Sequence, residues 1–281
     1  MRNSPFFDGI AQADLSAGGQ PVKVPLFYYD GTAMTAIFPA RLSRLRAALP
    51  DPRIVPARLA PGVGVVGVSC FEYRDTDLGP YNELAISIIL SEPYFRSNLP
   101  GRALTSALRR HQFDAWVHHL PVTTEIARAA GVEYYNYPKF LASIDFTEEH
   151  GRRTCRLAEG QEHILTLSGR TMPTAKPGKL QFFSHLWMDR QPQSSEFKIQ
   201  AAGMRERLSP AMATLTLGDQ HPIARELNEM LLWRRPLYYH YLSRFEGILY
   251  GPEHLTAPLM FQALAASPLA ASPAHDLVQT G

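Results

Sequence analysis

The sequence predicts an α+β protein in which a large antiparallel sheet or barrel is accompanied by a few helices. Two observations carry this prediction. Short apolar runs separated by turn residues follow one another between residues 142 and 217, as in a meander of antiparallel strands. Apolar residues recur at helical spacing in only a few stretches, of which residues 39–49, 122–130 and 222–232 are the clearest.

Length and composition describe an ordinary globular protein. The chain has 281 residues, of which 45% are hydrophobic and 19% are charged. The net charge of +2, with arginines and acids interspersed, gives no reason to expect a nucleic-acid partner. Two cysteines cannot make a disulfide framework or a zinc site by themselves. Because neither a signal peptide nor a membrane span is evident, we expect a cytoplasmic protein without a membrane partner.

Three regions are expected along the chain. Residues 1–22 are polar and without period, so we interpret them as an N-terminal arm. Residues 23–255 carry the predicted strands and helices of one domain. Residues 256–281 are rich in alanine, serine and proline, which predicts a tail that is partly disordered or packs on a neighbouring subunit.

Two turn-like sequences lie near the start of the domain. The apolar runs Val24–Tyr29 and Thr35–Phe38 flank Asp30-Gly31, which predicts a hairpin. The glycines of residues 62–67 match the letters of a dinucleotide-binding signature. That motif needs a strand before it and a helix after it, whereas here prolines precede it and a strand-like pattern follows, so we interpret it as the start of a strand.

Two strands carry polar residues that invite a functional interpretation. In the strand from Tyr81 to Leu90, alternation places Glu83 on one face with aromatic and small residues, so its carboxylate is expected in a cavity or, alternatively, in solvent at the strand end. In the strand from Phe113, the adjacent pair His118-His119 is expected to point to opposite faces. We therefore predict no metal site there.

One lysine is set in unusual surroundings. Lys139 follows Pro138 in a segment with three tyrosines, while most other cations of the chain are arginines. A lysine, unlike an arginine, can lose its proton in an apolar pocket and become a nucleophile toward a carbonyl carbon. Such chemistry also needs a general acid or base, for which Glu83 and a tyrosine are candidates. The alternative is a surface lysine whose stem covers the tyrosine rings.

Three stretches together resemble the acetoacetate decarboxylase family. They are Gly79-Pro80-Tyr81-Asn82-Glu83, the segment from Gly131 to Ala142 that contains Gly-x-Glu and Tyr-Pro-Lys, and residues 218–224 before a helix. The resemblance implies a cone-like antiparallel β-barrel with peripheral helices, a homo-oligomer, and chemistry without a cofactor. It implies that Lys139 is the Schiff-base lysine and Glu83 an active-site glutamate. As further candidate residues for substrate binding we take Tyr81, Tyr135, Glu133, Phe140 and Ser69.

The sequence also departs from the family pattern. Phe140 stands where the decarboxylases carry a second lysine, and Val132 replaces an arginine. Burial is therefore expected to be the main cause of a reactive Lys139. The first hypothesis is a cofactor-free, Schiff-base-forming lyase acting on a keto acid. The alternatives are an aldolase, dehydratase or cyclase that uses the same lysine on a larger keto acid, and a non-catalytic ligand-binding barrel.

Overall fold

A computed structural model describes residues 2–91, 99–172, 176–188 and 191–252 of the chain. The tail expected at residues 256–281 lies outside the described residues. The described strands are β1 (Ala13–Ala17), β2 (Gln20–Val24), β3 (Leu26–Arg41), β4 (Arg58–Ala60), β5 (Val63–Thr76), β6 (Tyr81–Ile89), β7 (Gln112–His119), β8 (Ser143–Glu149), β9 (Arg152–Glu159), β10 (Glu162–Arg170), β11 (Lys176–Met188), β12 (Gln191–Arg207), β13 (Ala213–Leu217) and β14 (Tyr238–Leu249).

Helices are few and short. They are α1 (Leu42–Ala48), α2 (Arg102–Arg110), α3 (Glu125–Tyr135) and α4 (Pro222–Met230). The sequence pattern predicted α1, α3 and α4, although with different ends, and it missed α2. Within the described ranges, no helix combines the length and the apolar character needed to cross a membrane.

Seven strands close into a barrel, which confirms the predicted α+β barrel. Their order is β3, β14, β12, β11, β7, β6 and β5, and β5 pairs with β3 to complete the circle. Neighbouring strands are antiparallel except β7 and β11, which run parallel. A parallel pair requires a long crossover between its strands, and here α3 and strands β8–β10 lie within that connection. The strand β5 starts at Val63, within the glycine-rich residues 62–67, as expected.

A second sheet covers one side of the barrel. It contains four strands in the order β13, β10, β9 and β8. The pattern of apolar runs predicted one meander for all the strands between residues 142 and 217, but of these only β11 and β12 join the barrel. Alternation of apolar residues identifies the buried face of a strand, and it does not identify the strand's partner.

Two cores result from the alternation of side chains along the barrel strands. The barrel interior is rich in aromatic residues and includes Tyr28, Phe71, Tyr81 and Phe245. The second core lies between the outer barrel wall and the second sheet, where Ile86 and Leu84 of β6 meet residues such as Leu157. The predicted split of β6 between its two faces is therefore confirmed.

The Asp30-Gly31 sequence does not form the predicted hairpin turn. Residues 26–41 are one long strand, and its register with β5 and β14 shifts around Asp30 and Gly31. A Cβ atom at Gly31 would lie 2.9 Å from the ring of Phe245. Gly31 thus marks a bulge at which interior side chains approach the backbone closely, and both features are common at glycines within strands.

The N-terminal segment contains a hairpin that the sequence pattern did not predict. Strands β1 and β2 pair with each other and pack on α3 through a small cluster that includes Val22 and Ala130. The backbone N–H of Gly18 donates to Glu133 Oε1 at 2.9 Å, and the Tyr134 hydroxyl donates to the Ser16 carbonyl. The hairpin therefore covers the outer face of α3.

The end of β7 departs from regular alternation. Ile86 pairs with His119 and Ser87 pairs with Val117, so His118 is an extra residue in the ladder. Such a bulge places two consecutive side chains on the same side of the strand. His118 and His119 both reach Glu226 of α4 through their Nε2 atoms, at 2.8 and 2.7 Å, and these hydrogen bonds hold the pKa of the Glu226 carboxyl well below its usual range. The prediction that the two histidines point to opposite faces is wrong.

Candidate active site

The segment that carries Lys139 is fixed by backbone hydrogen bonds on both sides. Helix α3 ends at Tyr135 and is capped by Asn136, whose φ of 48° lies in the left-handed region, and Tyr137 N donates to Gly131 O at 3.0 Å. The chain then runs extended, as Pro138 predicted. Val122 N donates to Phe140 O at 2.9 Å and Ala142 N donates to Val122 O at 3.0 Å, so the segment lies along residues 120–122.

The same short stretch joins the lysine segment to the strand of Glu83. Val122 forms bridges with Glu83 on one side and with Leu141 on the other. The lysine segment and β6 are thus two strand spacings apart, about 10 Å. A lysine and a glutamate side chain that point toward each other can together span this distance.

Lys139 and Glu83, the two residues predicted to be catalytic, contact each other. Lys139 Nζ lies 2.7 Å from Glu83 Oε2, and the two side chains are only 5% and 10% exposed. The ammonium nitrogen also lies 5.8 Å from the centre of the Tyr81 ring, within the range of a cation–π contact. The structure therefore places the glutamate in the interior, and neither the solvent-exposed strand end nor the surface lysine agrees with this geometry.

Tyrosine hydroxyls surround this pair. Tyr73 OH donates to Glu83 Oε1 at 3.3 Å, and the hydroxyls of Tyr28 and Tyr81 lie 3.2 Å apart. Tyr137 OH lies 2.5 Å from Ser184 Oγ. Burial, followed by the nearby Glu83 carboxylate, raises the pKa of Tyr73 well above its ordinary value. The phenol remains a hydrogen-bond donor at neutral pH.

Gly131 makes room for the lysine side chain. The helical pattern of residues 122–130 stops just before Gly131, a residue type that often caps a helix, but α3 continues to Tyr135 and Asn136 is the C-terminal cap. A Cβ at residue 131 would overlap Cδ and Cε of Lys139 and would lie 3.0 Å from Nζ. The lysine stem therefore crosses α3 at its one residue without a side chain in that turn.

Three of the remaining candidates lie in the interior, at different distances from the pair. Tyr81 contacts Lys139 directly. Tyr135 is fully buried, stacks on Tyr137 at 5.3 Å between ring centres, and its hydroxyl donates to Leu249 O at 3.4 Å. Ser69 pairs with Ala85, two residues along from the Phe71–Glu83 pair, and its Oγ accepts a hydrogen bond of 2.9 Å from Thr35 Oγ1.

The other two candidates lie outside the barrel interior. Glu133 is on the exposed side of α3 and binds the backbone of the N-terminal hairpin. Phe140 is half-buried and packs against the second core. Because successive side chains of an extended segment point to opposite faces, a side chain at position 140 points away from the Lys139 amine. A second cation at this position would therefore lie across the barrel wall from Lys139.

Ser69 lines a small cavity at the other end of the barrel interior. This cavity of about 30 Å³ also contacts Ser87 and His240, and it is large enough for one or two water molecules. Burial lowers the pKa of His240 to about 4, opposed in part by the charge of Glu206. The interior is therefore polar at two places, around Lys139 and around His240.

Sequence reasoning missed Tyr28, Tyr73 and Ser184. Tyr73 pairs directly with Tyr81, and Phe71 pairs with Glu83, across β5 and β6. Since paired residues share a face of the sheet, knowledge of this pairing would have placed Tyr73 on the same face as Glu83. Tyr28 belongs to the strand that was divided by the wrongly predicted turn. Ser184 lies on β11, and no local pattern indicates that it meets Tyr137.

Comparison with known proteins agrees with this architecture. The chain matches the profile of the family described as acetoacetate decarboxylase (ADC) over residues 15–241. None of the curated proteins compared with the chain matches it.

Solved structures of similar fold include decarboxylases and related enzymes. Acetoacetate decarboxylase from Legionella pneumophila subsp. pneumophila str. Philadelphia 1 is 15% identical, with a TM-score of 0.56 over 87% of this chain and 92% of that chain. The enduracididine biosynthesis enzyme MppR complexed with pyruvate is 13% identical, with a TM-score of 0.55 over 89% of this chain and 94% of that chain. MppR complexed with the condensation product of pyruvate and imidazole 4-carboxaldehyde is 12% identical, with a TM-score of 0.52 over 88% and 97%. At these identities the likeness concerns the fold.

Proposed function

Because the chain belongs to the acetoacetate decarboxylase family, we propose that it is an enzyme that forms a Schiff base between Lys139 and the carbonyl carbon of a keto acid. The observation that carries this proposal is the buried contact of 2.7 Å between Lys139 Nζ and Glu83 Oε2. Burying two charges in a barrel interior costs free energy that a plain structural role does not require. A nucleophile next to an acid/base group is the arrangement that imine formation needs.

The first steps can be written with these two groups. Transfer of one proton from Nζ to Oε2 leaves a neutral amine and a neutral carboxyl group side by side. The amine lone pair attacks the carbonyl carbon, and a proton moves from the nitrogen to the carbonyl oxygen to give a carbinolamine. Glu83 then supplies the proton with which the hydroxyl leaves as water, and the iminium remains on Lys139.

The iminium determines which bond breaks next. Its positive nitrogen accepts the electron pair of a bond at the carbon next to the imine carbon. If that bond leads to a carboxylate, carbon dioxide leaves and an enamine remains. A proton from solvent adds to the enamine carbon and restores an iminium. Addition of water to that iminium then releases the ketone and returns the amine of Lys139.

The surrounding hydroxyls suit a ligand with several oxygen atoms. Tyr81 and Tyr73 lie beside the pair, and burial raises the pKa of both phenols well above the ordinary value, with the charge of Glu83 adding to the effect. They therefore stay protonated and can donate to a carbonyl or carboxylate oxygen. Ser184 and Tyr137 offer a second pair of hydroxyl groups nearby.

A second candidate function is aldol condensation, dehydration or cyclisation of a larger keto acid through the same lysine. The hydrogen bond of 3.3 Å from Tyr73 to Glu83 favours it, because addition of an enamine to an aldehyde needs an acid for the developing alkoxide. MppR, which shares the fold, has been solved with pyruvate and with a condensation product of pyruvate. Decarboxylation after iminium formation forms no alkoxide and therefore needs no acid for one.

Reductive trapping tests the proposal and separates its alternatives. The protein is incubated with acetoacetate or pyruvate, treated with sodium borohydride and analysed by intact mass. We expect one reduced adduct per chain in the wild type and none in Lys139→Arg. Release of carbon dioxide from acetoacetate supports the decarboxylase, whereas an adduct with pyruvate and no gas supports the condensation enzyme. Absence of an adduct with every small keto acid would leave the non-catalytic barrel as the better account.

A further inference from the structure

Two histidines and a glutamate meet on the outer wall of the barrel, away from the Lys139 site. His118 and His119 are the last residues of β7, and Glu226 belongs to α4. His118 Nε2 lies 2.8 Å from Glu226 Oε1 and His119 Nε2 lies 2.7 Å from Glu226 Oε2. The three donor atoms are all within 4.8 Å of one another. We propose that these three residues form a binding site for Zn²⁺ or a chemically similar divalent transition metal ion.

The bulge at His118 creates the site. In a regular strand the two imidazoles would be on opposite faces, and only one could reach α4. The extra residue in the ladder turns both rings outward, with their centres 4.3 Å apart. Bulges of this kind serve to re-aim side chains near functional sites. One histidine would be enough to form a hydrogen bond with Glu226, whereas here two adjacent histidines bind the same carboxylate.

The donor set matches one class of ion. Imidazole nitrogen favours zinc, copper, nickel and iron over magnesium and calcium. Two histidines and one glutamate are a known set for zinc sites in which further coordination positions remain open to water. Bond lengths of about 2.0–2.2 Å require the donor atoms to be a little more than 3 Å apart, so the carboxylate and the rings need only small shifts around an ion.

The site is accessible without being fully exposed. The side chains of His118, His119 and Glu226 are 14%, 21% and 36% exposed. His118 also lines a surface cleft of about 480 Å³ together with Asn136 and Pro138. An ion can therefore enter with its water molecules. On binding, it takes the place of the two Nε2 protons, which pass to solvent or to Nδ1 of each ring.

The position of the site gives the ion a role in holding the lysine segment. His119 directly precedes the stretch whose backbone binds that segment, with Leu120 N donating to Pro138 O at 3.3 Å. An ion that joins the end of β7 to α4 would fix this stretch from the side opposite to Lys139. The inference concerns stability and metal content and does not depend on the proposed reaction.

Titration with zinc tests the site. Protein without a polyhistidine tag is treated with chelator, dialysed and titrated with ZnCl₂ in a calorimeter. We expect one ion per chain with a dissociation constant below about 10 µM, and a melting temperature that rises with zinc concentration because the ion binds the folded state. With CoCl₂, we expect visible absorption bands of an ion with nitrogen ligands.

Matched variants decide whether these residues are the ligands. His118→Gln, His119→Gln and Glu226→Gln should each weaken zinc binding by at least about 10-fold, while His111→Gln, which removes a single histidine–glutamate contact of 3.3 Å, should not. Lys139→Arg should bind zinc as the wild type does, which separates this site from the proposed catalysis. The proposal would be overturned if the wild type bound no zinc at about 100 µM. It would also be overturned if a His118→Gln/Glu226→Gln variant bound zinc as tightly as the wild type, provided that the two proteins have the same melting temperature in the absence of zinc. If a variant does not fold, the cobalt spectrum of the wild type decides, since a spectrum of solvated cobalt contradicts histidine ligation.

Discussion

The two cores of the molecule lie on opposite sides of one barrel wall and bury different chemistry. The interior holds a lysine–glutamate pair and several tyrosine hydroxyls, whereas the second core is mainly aliphatic. Strand β6 serves both, since Glu83 points inward and Leu84 points outward. Apolar packing alone would stabilise the wall at lower cost. The polar interior is therefore the side on which to look for function, and the second core is the side that holds the fold.

The largest effect is expected from removing the acid/base group of the interior. Glu83→Gln keeps the side-chain shape but cannot take or return a proton. We expect the rate of adduct formation with a keto acid to fall by about 10²–10⁴-fold, measured as the rate of reductive trapping. Glu133→Gln is the matched control because Glu133 binds the N-terminal hairpin outside the barrel. An equal loss in both variants would contradict the distinction between the two glutamates.

A smaller but specific effect is expected from filling the space under the lysine. Gly131→Ala places a methyl group where the end of the Lys139 side chain lies. Because that end is flexible, the fold should tolerate the methyl group while the amine moves, and a displacement of about 1 Å can cost about 100-fold in rate. In Gly67→Ala the new Cβ would meet Ile89 at 3.5 Å, an ordinary contact. Trapping should be slow in the first variant and unchanged in the second, with similar melting temperatures.

The Lys139–Glu83 pair and Gly131 show what could and could not be predicted from the sequence. The pairing of Lys139 with Glu83 was predictable, because the motifs carried both residues and alternation put Glu83 on the inner face. The role of Gly131 was not, since a glycine near the end of a helical pattern more often caps the helix, and only the tertiary path of Lys139 explains it. Likewise, the division of the strands into a barrel and a second sheet depends on partners distant in sequence. The bulge at His118 leaves no mark in the local pattern.

The buried imidazole of His240, at the second polar position in the barrel interior, predicts that the stability of the protein depends on pH. Burial lowers the pKa of His240 to about 4 in the folded protein, against about 6.5 in an unfolded chain. As pH falls below the unfolded value, the unfolded chain takes up a proton and the folded protein does not, so stability is lost down to the folded pKa. Between about pH 7.5 and 4.5 this residue should cost about 2–3 kcal/mol.

Substitution isolates that contribution from those of other groups. In His240→Phe the free energy of unfolding, measured with urea at both pH values, should fall less on acidification than in the wild type by about the same 2–3 kcal/mol. An identical pH dependence in both proteins would mean that His240 is protonated equally in the folded and unfolded states. The interior would then be less dry around His240 than the burial indicates.

The smallest effect on reactivity is expected on the side of the second core. In Phe140→Lys a cation replaces a half-buried ring that packs away from Lys139. The pH profile of reductive trapping should not change, although unfolding should require about 1–3 kcal/mol less because the ammonium is partly buried. Phe140→Leu should leave both quantities near those of the wild type. A shifted pH profile in Phe140→Lys alone would show that the barrel wall does not separate the two side chains.

The most direct test of the interior as the reactive centre is the location of the trapped adduct. The chain offers a natural control, since Lys198 Nζ lies 3.3 Å from Glu196 in a pair whose side chains are 40% and 24% exposed. Peptide mapping after trapping with acetoacetate or pyruvate should place the modification on Lys139 alone, and the adduct should persist in Lys198→Arg and disappear in Lys139→Arg. An adduct on Lys198, or an undiminished yield in Lys139→Arg, would contradict the account.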